Sequence, residues 1–426
     1  MTGRIAASAG LALLLGCVLA SVFRPSLYPP YAEGTAYVAI ANGDYSQVDS
    51  LYAGRVLHPL LARLVAHTYH TPIDARVFMW ISVAALIAFF SLLGLNWALD
   101  CPSAQGLYLL LLVTPTLVDS YRNYYWHDLF YAVLCALFFL VLRASPWIGL
   151  PIVFSLYLTR ESTIVLVAVL VGVAAFRRQW KFVLTLIVIT FMAMKLVDSV
   201  FMERALPSKH GISLILMDFF RVAYGFFYNI CGLEFWINTD AATLPSPVWT
   251  ASIPAWLHLG NIREVGYCGF FWQNPARTLL IMSTAFGILP LWVIRIGTRG
   301  WSRLQPPPFE TATAFVYGAL MFLLAPLAGT WTARYALYSW PLFWLFGVRE
   351  LRVAFPSLRK QIETVLLSLC TAWVPAVVRC ISGATVSGPE SLSTLTEKGL
   401  VISLVLVTGL YVWGWSLLKL ARASNN

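Results

Sequence analysis

The chain has 426 residues, 59% hydrophobic and 11% charged, with a net charge of +10 and a mean hydropathy of +0.74. Soluble domains carry about 25% charged residues, so the composition excludes an ordinary soluble protein and predicts an all-α polytopic membrane protein, a single integral membrane domain over 1–426. The basic residues sit in short loops between apolar runs, not in a stripe interleaved with aromatics, which argues against nucleic acid and for membrane lipids as partner.

Apolar runs predict about twelve transmembrane helices. The first covers 5–23. Arg4 precedes it, and Leu14-Leu15-Gly16-Cys17 loosely resembles a lipoprotein cleavage box, but a first anchoring helix is the commoner arrangement in polytopic chains. A first extracytoplasmic loop, 24–76, leads to the second run at 77–97. Further runs follow at 106–118, 127–143, 146–158, 161–176 and 182–200, and several are short enough to be half-helices. A long extracytoplasmic loop, 201–276, separates them from runs at 277–297, 312–329, 335–348, 363–381 and 399–419. Within that loop, 212–236 is apolar enough to span, and it reads as re-entrant or interfacial, with Asp218 and Arg221 paired at i, i+3.

Basic loops orient the bundle. Arg177, Arg178 and Lys181 form one, Arg295, Arg299 and Arg303 a second, and Arg349, Arg352, Arg359 and Lys360 a third, with Lys419 and Arg422 closing the chain. Twelve spans put all of these on the cytoplasmic side with both termini, although Arg24, Arg55, Arg63 and Arg76 then fall outside. Of the seven cysteines none forms CxxC; Cys231 and Cys268 share the long outer loop and are the one candidate disulfide.

With this topology Glu33, Arg55, Asp128, Arg160, Glu161 and Arg334 all lie at segment ends on the outer side. Charges kept at membrane depth mark function by default. In the first loop Glu33 and Tyr37 stand four apart on one helical face. Leu57, Leu60, Leu61, Leu64 and Val65 follow at helical spacing with Arg55 and Arg63 at other positions, predicting an amphipathic helix along the membrane surface; its plainer reading is an interfacial helix with solvated charges.

Glu33-x-x-x-Tyr37-x-x-Ile40-Ala41, followed by Tyr52-Ala53-Gly54-Arg55-Val56-Leu57-His58-Pro59-Leu60-Leu61, resembles the first loop of membrane glycosyltransferases of the GT-C superfamily. Tyr125-Trp126-His127-Asp128 resembles their second acidic position, Thr159-Arg160-Glu161-Ser162 an Arg-containing turn, and Thr332-Ala333-Arg334-Tyr335 the late Arg-Tyr motif. The resemblance implies a GT-C-like fold, a polyprenyl-phosphate sugar donor and a first-loop carboxylate as base. Glu33 occupies the place where Asp is more usual, and Asp44 and Asp49 lie in the same loop as substitutes.

The chemistry agrees with the pattern. Transfer from a lipid phosphosugar needs a base within about 2.6–3.2 Å of the acceptor hydroxyl and cations for the departing phosphate, which Arg binds bidentately. Glu33 and Asp128 are the catalytic candidates; Tyr37, Arg55, His58, His127, Arg160, Glu161, Arg334 and Tyr335 are the substrate-binding ones. Each has a plainer alternative. Arg160 and Glu161 would close a salt-bridged turn, Asp128 would cap a helix, Arg334 would snorkel to the headgroups, and the two histidines would be structural imidazoles.

In the long loop Trp236, Trp249, Trp256 and Trp272, with Glu234, Asp240, His258 and Glu264, form either an acceptor-binding lid or an interfacial aromatic belt. A divalent cation is compatible with the outer carboxylates, although no ligand spacing identifies one. The resulting expectation is an extracytoplasmic glycosyltransferase of polysaccharide biosynthesis in the cell envelope, in a bacterial inner membrane, acting on a glycan, lipid or protein acceptor. A transporter or flippase of a lipid-linked saccharide, or a polysaccharide polymerase, shares the topology. Charges at one outer face favour catalysis, and charges at the midplane favour transport.

Overall fold

The computed structural model describes residues 2–31, 33–100, 105–206, 222–236, 250–252, 267–291, 308–327, 332–344, 348, 355, 357–382 and 395–423. Helix α1 (Thr2–Val22) packs along α5 (Ala75–Asp100). Between them lie α2 (Glu33–Asn42), α3 (Ser50–Ala53) and α4 (Leu57–Thr68). Next come α6 (Gln105–Leu109), α7 (Pro115–Arg122), α8 (Asp128–Leu142), α9 (Leu150–Thr159), α10 (Thr163–Phe176) and α11 (Trp180–Leu196). Strands β1 (Leu233–Trp236), β2 (Thr250–Ser252) and β3 (Tyr267–Phe270) form one antiparallel sheet in the order β1-β3-β2. The later helices are α12 (Gln273–Phe286), α13 (Phe309–Leu324), α14 (Thr332–Tyr338), α15 (Trp340–Leu342), α16 (Leu358–Ile381) and α17 (Glu397–Ala423).

This is an integral membrane protein. Among the described residues five helices are long and apolar enough to cross a bilayer: Ala75–Leu95, Trp180–Arg204, Phe309–Leu327, Leu358–Ile381 and Glu397–Lys419. Shorter apolar helices cover Ala9–Val22, Asp128–Leu142, Pro146–Thr159 and Thr163–Phe176. Leu184, Ile187, Val188, Phe191 and Met192 stand exposed along α11, and Val401, Val405, Val412 and Trp413 along α17. Apolar area left in water loses about 25 cal/mol per Å² of stabilisation, so these faces contact lipid.

Two predicted spans are broken. Over 106–118, α6 passes through a 3₁₀ turn at Leu110–Leu112 and the chain restarts at α7. The cause is local: Thr114 caps α7, its Oγ1 accepting from Leu117 N at 3.4 Å, and Pro115 occupies the first turn, where a missing N–H is harmless. Over 335–348 the run splits into α14 and α15, with Pro341 at the start of α15. The run 277–297 is also interrupted at Gly287, with helix resuming over 289–291, because Gly287 takes φ +55 with its backbone packed on Ser368, where a Cβ would collide with the Ser368 carbonyl.

The first loop is more deeply packed than the sequence predicts. Tyr37, Ile40, Val48, Val56, Ala62 and Ala66 share a core with Val77, Phe78 and Ile81 of α5 and with Tyr124 and Tyr125. α4 turns His58, Pro59, Ala62 and Ala66 inward and leaves Leu64 outside. Leu60, Leu61 and Val65 pack half-buried against this core, so of the predicted leucine stripe only Leu64 stands exposed. Arg63 is exposed, whereas Arg55 is buried, so the plainer reading of a solvated charge does not hold for it.

Of the segment 212–236, residues 222–236 are described; they pass from a helical turn into a π-helix at Phe226–Ile230 and then into β1. That part is therefore not a continuous span. The Asp218–Arg221 pair, Trp249, Trp256, Asp240, His258 and Glu264 lie outside the described residues. So do the Cys268, Glu234 and Trp236 side chains, which the disulfide and lid expectations need, and the second basic loop with Arg349 and Arg352 of the third.

Candidate functional site

Five chain segments meet at one cluster. Glu33 opens α2, Arg55 lies in the turn before α4, Asp128 opens α8, Arg160 and Glu161 form the turn between α9 and α10, and Arg334 lies in the first turn of α14. Three arginines face three carboxylates. Arg334 grips Glu33 with both terminal nitrogens, Nη1 to Oε1 at 2.8 Å and Nη2 to Oε2 at 3.1 Å. Its Nε donates to Asp128 Oδ2 at 2.5 Å, and its guanidinium lies 4.7 Å over the Trp126 ring. Arg160 Nη1 donates to Asp128 Oδ1 at 2.6 Å. Arg55 takes Glu161 in a fork, Nε to Oε2 at 3.0 Å and Nη2 to Oε1 at 2.5 Å, and lies 4.0 Å from Glu33.

Three plainer alternatives give way to this geometry. Arg160 and Glu161 do not pair with each other: each holds a partner on another segment, Asp128 and Arg55 respectively. Asp128 sits just inside α8 after His127, and both its oxygens are engaged by arginine, so capping does not account for it. Arg334 does not snorkel; it is buried between two carboxylates. Asp44 lies away from the cluster, exposed and accepting from Ser46 Oγ at 2.7 Å, and Asp49 lies in the bridge to Leu206.

A second line of hydrogen bonds runs through the same residues. Arg160 Nη1 reaches His127 Nε2 at 3.1 Å, and since arginine only donates, Nε2 accepts. The proton then resides on Nδ1, which donates to Tyr37 Oη at 2.9 Å, while Tyr37 donates to Glu33 Oε2 at 3.4 Å. Arg160 is thereby linked to Glu33 by a directional relay that needs a neutral His127.

Tyr338, not named from the sequence, donates to Asp128 Oδ1 and accepts from Arg160 Nη1 at 2.5 Å. It follows Arg334 by four residues on α14, and that i, i+4 spacing was the signal available. Tyr335 is half-buried, and Arg160 lies 5.0 Å over its ring as well as over that of Tyr338. Asn229 anchors the start of the same helix, donating to Pro326 O at 2.7 Å and to Thr332 Oγ1 at 3.4 Å, and accepting from Thr278 at 3.2 Å.

No family model, curated protein or solved structure matches this chain. The site therefore stands on its own geometry.

Electrostatics explain why the charges stay charged. Burial alone pushes the Glu33 carboxyl up, but Arg334 and Arg55 outweigh it and hold the group below its usual range. For Glu161 burial again acts upward, and Arg55 with its hydrogen bonds brings the group down to about 2. Burial pushes the His58 imidazole down to about 4. It also drives His127 well below its ordinary value, with Arg160, Arg55 and Arg334 adding to the effect. Both rings are neutral at pH 7. His58 packs on Phe78 and Phe130, and its Nδ1 has no partner among the described residues.

These histidines predict acid lability with a defined window. Between pH 6.5 and about 4 the unfolded state binds protons that folded His58 does not, so stability falls as pH drops through that range. His58→Phe should flatten the fall in melting temperature over this range. An unchanged slope would place the lability elsewhere.

Among the described residues no three His, Cys, Asp or Glu side chains converge as a metal site requires. Both Asp128 oxygens and both Glu33 oxygens already accept from arginine, so this donor set, as arranged, does not fit a divalent cation.

Proposed function

We propose that this protein is an integral membrane glycosyltransferase with a GT-C-like fold of about twelve spans. It would move a sugar from a polyprenyl-phosphate donor to an acceptor hydroxyl on the extracytoplasmic face of a bacterial inner membrane. The observation that carries this reading is the convergence of one carboxylate base candidate with three arginines at the ends of helices, not along their middles. Charges gathered at one end of a bundle support catalysis over a transport path through the midplane.

In the step proposed, the acceptor oxygen bonds to the anomeric carbon as the bond from that carbon to the phosphate oxygen breaks. The electron pair leaves on the phosphate, where arginine neutralises it, and the acceptor proton passes to Glu33. Arriving phosphate also tunes the base. As it draws Arg55 toward itself, Glu33 loses one of the cations that hold its proton affinity down, and burial raises that affinity. Asp128 assists by orienting Arg160 and Arg334, with Tyr338 and Tyr335 shaping the walls.

The test is transfer of radiolabelled sugar from polyprenyl-phosphate donors by purified protein in liposomes. Turnover would support the enzyme. Movement of the donor lipid across the bilayer, with no turnover from any donor, would make a flippase the better reading.

A further inference from the structure

The three arginines are not equally available to a substrate. Arg334 is committed on both edges, to Glu33 and to Asp128. Arg160 makes its bonds to Asp128, His127 and Tyr338 through Nη1 alone, and its Nε is buried with no partner among the described residues. Arg55 presents its Nε–Nη2 edge to Glu161, the geometry with which a guanidinium takes a phosphate.

Glu161 differs from the other members. Its side chain is 40% exposed, against 6% for Arg55, 5% for Glu33, 3% for Arg160 and 0% for Asp128. It is thus the most exposed carboxylate of the cluster, the one that can leave its arginine for water, and solvent screens the pair it makes. The residue before it carries the unpartnered Arg160 nitrogen.

We propose that Glu161 is a displaceable internal ligand: its carboxylate holds the Arg55 fork until the phosphate of a substrate takes that place, seated between Arg55 and Nε of Arg160. The proposal rests on the phosphosugar reading for its biological ligand, but the seat itself is defined by phosphate chemistry. Displacement has two consequences. Glu161 swings into water, where its charge is solvated, and Arg55 exchanges one bidentate partner for another without a buried cation being stranded. Selectivity follows as well, since a neutral sugar has nothing with which to displace a carboxylate.

The test is binding of inorganic phosphate and of a short-chain polyprenyl phosphate to the purified full-length protein, measured calorimetrically without any transfer reaction. Glu161→Gln removes the competing charge and should tighten binding about tenfold. Glu161→Asp, which keeps the charge, should stay near wild type. Arg55→Gln added to Glu161→Gln should abolish the gain. Without phosphate, Glu161→Gln should also melt lower than wild type, because Arg55 has lost its charged bidentate partner, and added phosphate should raise its melting temperature more steeply.

Tightening for both probes identifies the phosphate group as the ligand; tightening for the polyprenyl probe alone identifies a lipid-borne headgroup. Either supports the seat. Wild-type affinity and an unaltered phosphate response in Glu161→Gln would overturn it, as would a gain that survives loss of Arg55. Absence of sugar transfer would remove the enzyme reading and leave these results untouched.

Discussion

Arg334→Ala should destabilise the protein by about 3–5 kcal/mol, the usual consequence of removing one partner from a buried ion pair, and should eliminate transfer. Arg334 is the only described side chain joining Glu33 to Asp128 by direct bonds, and both carboxylates are at most 5% exposed. Without it Glu33 keeps Tyr37 at 3.4 Å and Arg55 at 4.0 Å, and Asp128 keeps Arg160 and Tyr338. Arg334→Lys should recover part of the stability and little of the activity. A single ammonium lacks the planar fork that reaches two carboxylates at once. Unfolding in detergent, followed beside the transfer assay, checks both claims, and an Arg334→Ala protein that melts with wild type would show that the network does not hold the fold.

Glu33→Gln should reduce transfer by about 10²–10⁴-fold, the range expected when a general base is lost, with a smaller stability loss than Arg334→Ala. The amide is isosteric and still offers Arg334 one oxygen, so the buried guanidinium keeps a partner there and retains Asp128. Its other half turns a donor toward Arg334 Nη2 or Tyr37, which weakens the relay from His127. Circular dichroism and size exclusion establish that the variant is folded, and transfer from the radiolabelled donor gives the rate. Full activity in a folded Glu33→Gln protein would remove Glu33 as base. Asp44, exposed and tied to Ser46, would be a poor replacement, and the role would pass to Asp128.

The class of this protein and the charged members of the candidate cluster were legible in the chain for the same reason. Charged residues are so scarce at 11% that those standing at the ends of apolar runs are conspicuous, and bilayer energetics argue against keeping them idly. Breaks within runs were visible as Pro115, Pro341 and short lengths, since proline acts on its own backbone. Gly287 was not, because its left-handed φ is set by the Ser368 backbone it packs against.

Pairing was another matter. Adjacent Arg160 and Glu161 look like partners in sequence, yet a turn between two helices points them apart, and each meets a charge from more than 30 residues away, Asp128 (|i−j| of 32) and Arg55 (|i−j| of 106). Likewise Arg55 reads as one more solvated charge beside an amphipathic helix. The packing of the first loop onto α5 and onto Tyr124 and Tyr125 brings it inward, where it meets Glu161, Glu33 and Tyr37. The sequence by itself determined that the chain is an integral membrane protein and which rare charges deserved notice, because hydropathy and charge are properties of single residues and their neighbours. The tertiary structure decided that these charges converge, which carboxylate each arginine holds, and that Tyr338 joins them. Such contacts depend on where helix ends meet in space, and no local pattern encodes that.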